Sequence, residues 1–142
     1  MRFRFAALAV ASAFSISAMP VHAETQIQWW HSMSGALGEW VSDLANEFNA
    51  SQSEYKIVPT FKGSYDESMT AAIAAYRAGN APHILQVFEV GTATMMASKG
   101  AIVPVGKVMA DAGVKFDQAA YVPAVAGYYT AANGQMLSFP FN

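Results

Sequence analysis

The sequence has no cysteine. That excludes a disulfide framework and a thiolate metal centre, and it leaves no N-terminal cysteine to carry a lipid anchor. Basic residues are scarce: Lys+Arg number 8 against 10 Asp+Glu, for a net charge of -2. Two of the eight, Arg2 and Arg4, lie ahead of the first apolar run, and without them the balance is 6 against 10, or -4. A mildly acidic chain with no basic cluster excludes nucleic acid as a partner. Histidine is equally sparse. Beyond His22 only His31 and His83 remain, on separate segments without ligand spacing, so neither a metal nor any other cofactor is expected. One long apolar run exists, over residues 5–19, and it is shorter than the roughly 20 residues a bilayer span needs.

That run follows a charged start at Arg2 and Arg4 and precedes Val21-His22-Ala23, a small-x-small site. The layout predicts a secretory signal peptide over residues 1–23, cleaved after Ala23, and hence export of residues 24–142. The far end, LSFPFN, stops within an apolar strand-like stretch, which reads as a fragment of a longer fold.

Catalytic signatures are missing as well. Ser32-Met33-Ser34-Gly35 does not fit the G-x-S-x-G elbow of serine hydrolases. GAIVPVGKV at 100–108 has one residue too many for a P-loop and no Ser or Thr after Lys107. No enzyme is expected. Asn49-Ala50-Ser51 matches a glycosylation sequon by pattern alone.

What is present alternates. TQIQWW at 25–30 reads as a strand. Leu37, Trp40, Val41, Leu44, Ala45 and Phe48 then form a 3.6-period apolar stripe, a helix capped by Ser32 or Ser34. YKIVPTF at 55–61 is a second strand, and Pro59 suits it to a sheet edge. Ser64-x-x-Glu67 is a capping box that opens a second helix, stopped at Gly79-Asn80. ILQVFEV at 84–90 predicts a third strand, and Gly91-Thr92 a short third helix ending at Gly100. A further helix is expected over 105–112. A hairpin is expected around Asn133-Gly134, with arms at 128–130 and 135–139. This order predicts an α/β fold with a mainly parallel sheet flanked by helices.

Ligands of such sheets bind beyond the carboxyl ends of strands. Residues 29–35, 63–67 and 88–92 meet that condition. Trp30, His31 and Ser32 are candidate cleft-lining residues, although the same stretch also fits a buried strand running into a helix cap. Tyr65 can line a cleft or pack over its own strand. Glu89 is a lone acid in an apolar segment that can meet a ligand or cap the next helix.

The stretches WWHSMSGALG, FNA, YKIVPTFKGSY, RAGNAPHILQVFEVGTATMMAS and SFPFN, in that order and spacing, resemble the periplasmic sn-glycerol-3-phosphate-binding proteins of ABC uptake systems. The resemblance covers nearly all of residues 27–142. Its WHSMSG and PFN elements are shared with sugar-binding relatives. It implies a two-lobed type II periplasmic-binding-protein fold. Residues 24–142 would then be part of the N-terminal lobe, incomplete and without the second lobe. Tyr65 in GSYDE and Glu89 in VFEVG match ligand-binding positions, and the remaining contacts fall past Asn142. The implied role is a monomeric periplasmic carrier that delivers sn-glycerol 3-phosphate, and glycerophosphodiesters with it, to a membrane permease. The alternatives are a sugar-binding protein of the same fold and an exported glycerophosphodiester hydrolase.

Overall fold

A computed structural model describes residues 24–98 and 100–141. The signal peptide expected over residues 1–23 and the terminal Asn142 lie outside the described residues. The chain forms β1 (Thr25–His31), α1 (Gly35–Ser51), β2 (Tyr55–Phe61), α2 (Tyr65–Arg77), β3 (Ile84–Leu85), α3 (Glu89–Ala97), α4 (Val105–Asp111), a 3-10 turn at Gln118–Ala120, and α5 (Pro123–Tyr128). The sheet is parallel, in the order β2-β1-β3. The α/β reading therefore holds, and Pro59 does sit in an edge strand, where a missing backbone donor is tolerated.

Local chemistry explains the boundaries. β1 and β2 run in full register from Thr25↔Tyr55 to His31↔Phe61. α1 starts after Ser34, whose side chain makes no capping bond, while Gly35 takes a left-handed φ of 55°. The last turn of α1 is clamped to β2 by Asn49. Its Nδ2 donates to the Ile57 carbonyl at 2.9 Å, and its Oδ1 accepts from the Ile57 N–H at 2.7 Å. The amide of the pattern-matched sequon is thus occupied in tying a helix to the sheet edge.

α2 opens on the capping box as read: the Glu67 N–H donates to Ser64 Oγ and the Ser64 N–H donates to Glu67 Oε2. At its other end Gly79, at φ 75°, sends its N–H to the Tyr76 carbonyl while Asn80 reaches Ala75, which is a Schellman stop.

Two expectations are corrected. The third strand does not run over 84–90; it is two residues long, and α3 begins at Glu89 rather than at Gly91. The reason lies in its partner. Trp30↔Leu85 is the last β1–β3 pair, Gln86 N–H still reaches the Trp30 carbonyl, and β1 ends one residue later. With no ladder left, the Gln86 side chain takes the Ser32 N–H at 2.9 Å and the backbone turns into α3. The hairpin around Gly134 shrinks to one bridge, Thr130↔Met136, because Tyr128 belongs to α5.

The apolar stripe of α1 lies partly against the sheet. Val41 and Ala45 are buried, but Leu37, Trp40, Leu44 and Phe48 keep 36–50% of their surface exposed. Met136, from the carboxyl-terminal segment, is the largest fully buried side chain among the described residues.

Candidate functional site

Tyr65 and Glu89 are the first residues of two helices, α2 and α3. Each follows a strand at the sheet's carboxyl end. Tyr65 is placed by the turn before it. Gly63 takes φ 82°, and a Cβ there would collide with the Glu67 carboxylate that closes the capping box. The bonds from the Ser64 backbone and side chain hold the Glu67 carboxyl below its usual pKa, so the box stays ionised and closed near neutrality.

Glu89 corrects the sequence reading. It is an exposed residue at a helix N-terminus, where a carboxylate suits the macrodipole, and not part of the third strand. Its main-chain carbonyl accepts a 2.5 Å bond from the Tyr128 hydroxyl, which ties α5 to the start of α3 across 39 residues of chain.

Phe88 joins the two. It is the N-cap residue of α3, and its ring meets that of Tyr65 at 5.5 Å between centroids, tilted by 33°. Tyr65, Phe88 and Glu89 all border one partly open cavity of about 1250 Å³, lined by β3, faces of α1 to α4, and the segment 129–141. Its walls are otherwise largely aliphatic and aromatic. Arg77 borders the same cavity, but from the last residue of α2. At about 1.5 Å rise per residue it stands roughly 18 Å along the helix from Tyr65.

Trp30, His31 and Ser32 do not border this cavity. Neighbouring strand residues face opposite sides of the sheet. Trp30 lies under the Lys62 ammonium, 3.8 Å from its ring centroid, whereas Trp29 points to the cavity and meets Phe141 edge-on at 5.6 Å. His31 is buried, with its ring 6.0 Å from Trp29 and 6.1 Å from Phe61. Burial lowers its pKa below the ordinary 6.5, against a smaller opposing pull from the Met33 backbone. Ser32 is half-buried, its N–H held by Gln86.

Sequence reasoning missed the ring contact of Phe88, the hydroxyl bond of Tyr128 and the clamp made by Asn49. The VFEVG spacing contained the signal for Phe88, an aromatic beside the acid. Nothing local marks Tyr128. His83 accepts the Gln28 N–H on Nδ1 at 3.0 Å and returns its main-chain N–H to the Gln28 carbonyl. Among the described residues no three of His, Cys, Asp and Glu gather to hold a metal, and no helix is long and apolar enough to cross a membrane.

Tyr65 and Glu89 thus lie beyond the carboxyl ends of parallel strands, where open α/β sheets bind ligands. No protein-family model matches the chain. Over 136 residues, 95% of its length, the chain is 58% identical to the sn-glycerol-3-phosphate-binding periplasmic protein UgpB of Yersinia enterocolitica. It is 56% identical over 92% of its length to the protein of that name from Pectobacterium atrosepticum, and 57% over 95% to that of Salmonella typhimurium. The chain is homologous to these periplasmic binding proteins. It spans about 30% of the length of each.

Proposed function

We propose that the protein is the periplasmic substrate-binding component of an ABC importer. It captures sn-glycerol 3-phosphate as a monomer and delivers it to membrane permease subunits. The observation that carries this reading is that Tyr65 and Glu89 border one cavity, with the Tyr65 ring against Phe88, the residue before Glu89. The 58% identity to a protein named for that ligand supports it.

The chemistry divides the ligand. A carboxylate repels a phosphate dianion but accepts hydrogen bonds from hydroxyls, so Glu89 takes the glycerol end. Tyr65 offers its hydroxyl to the phosphate or its ring to the carbon chain. Arg77 is too far along α2 to hold the phosphate of a molecule this short while Tyr65 and Glu89 hold the rest. The cationic partner of the phosphate is therefore not Arg77. The role is carriage without catalysis, in keeping with relatives named as binding proteins.

The test uses a full-length chimera that carries this chain in place of the matching segment of the Yersinia enterocolitica protein. In a thermal-shift panel, sn-glycerol 3-phosphate raises Tm in a concentration-dependent way, because a ligand that binds only the folded state stabilises it. Maltose leaves Tm unchanged. A shift with maltose and none with glycerol phosphate would instead identify a sugar carrier. Release of glycerol or phosphate from glycerophosphodiesters would identify a hydrolase.

A further inference from the structure

Gly91 sits inside α3 with ordinary helical backbone, not the left-handed φ that calls for glycine. Alanine would serve a helix better there. The reason for glycine is clearance. A Cβ at Gly91 would lie 2.7 Å from Phe88 Cε1, 3.0 Å from Phe88 Cδ1 and 3.0 Å from Val87 Cγ1. Contacts that short force a neighbour to move. The Phe88 backbone is held, since its carbonyl accepts from both the N–H and the hydroxyl of Thr92, each at 3.2 Å. The ring must yield instead, and on its other contact that ring lies 5.5 Å from Tyr65.

We infer that Phe88 and Gly91 are positioning residues for the ligand site. Gly91 leaves room for the Phe88 ring over the first turn of α3, and Phe88 in turn fixes the Tyr65 ring relative to Glu89. One missing methyl group thereby couples side chains on two separate helices. The inference rests on the proposed roles of Tyr65 and Glu89 and adds what sets their spacing.

The experiment is a double-mutant cycle in the full-length chimera, read by calorimetry with sn-glycerol 3-phosphate. Gly91→Ala and Phe88→Leu each weaken binding about three- to tenfold, the range of an aromatic pair. Phe88→Tyr keeps the affinity. In a Tyr65→Ala background neither Gly91→Ala nor Phe88→Leu costs anything further. Full additivity in that background, or unchanged affinity in both single variants, overturns the inference. Should Gly91→Ala not fold, the Phe88 variants carry the same test. A ligand-free readout separates the inference from the reading it rests on: the Tyr65 ring proton resonances, assigned by their loss in Tyr65→Ala, shift in Gly91→Ala, which keeps both rings and changes only their placement. If they shift in a chimera that binds no glycerol phosphate, the coupling stands and the ligand assignment fails. If they do not shift, the coupling fails whatever binds.

Discussion

His31 shows how much a single residue's meaning depends on where the strand ends. In sequence it stands beside Ser32 in the most polar part of the first motif, a natural candidate for a cleft. In the fold it closes β1, buried between aromatic rings, with its pKa held below the ordinary value by desolvation. The unfolded chain therefore binds a proton near pH 6.5 that the folded chain resists. Between the lowered folded pKa and 6.5 the unfolded state holds more protons, so stability falls as pH is lowered through that window. Urea midpoints of the chimera should drop as pH is lowered from about 7 through 6. His31→Phe should remove that part of the drop. An identical pH profile for the variant would mean that His31 is not the group responsible. Glu89 moved the other way, from an expected strand to an exposed helix start, because the apolar run ILQVFEV could not reveal that its pairing with β1 stops at Leu85.

Elements with signals inside their own span were legible. The stripe from Leu37 to Phe48 gave α1, the capping box and Gly79 bounded α2, and β-branched residues marked β2. Elements that depend on a distant partner were not. β3 needed the length of β1, and the Asn133-Gly134 hairpin gave way to a single bridge because α5 claims Tyr128. The Asn49 clamp belongs to the same class, since a polar residue late in an amphipathic helix looks like a solvated face until β2 is laid beside it. Asn49→Ala should remove both bonds to Ile57 and cost about 1–2 kcal/mol. Urea denaturation of the chimera would read this as a lower midpoint at constant slope. An unchanged midpoint would show that water replaces the amide at no cost.

At the scale of the whole molecule, the alternation of strands and helices was enough to predict a parallel α/β sheet, and the strand order β2-β1-β3 realises it. The cavity was legible only in part. The resemblance picked out Tyr65 and Glu89, whereas the contact of the Tyr65 ring with Phe88 is a property of the folded chain. The central claim is that these residues hold the glycerol end of sn-glycerol 3-phosphate. Calorimetric titration of the chimera and its Glu89→Ala variant tests that claim most directly. Loss of a charge-assisted hydrogen bond, about 1.5–3 kcal/mol, predicts affinity weakened roughly ten- to a hundredfold. Equal affinity in the two proteins would remove Glu89 from the site and contradict the account.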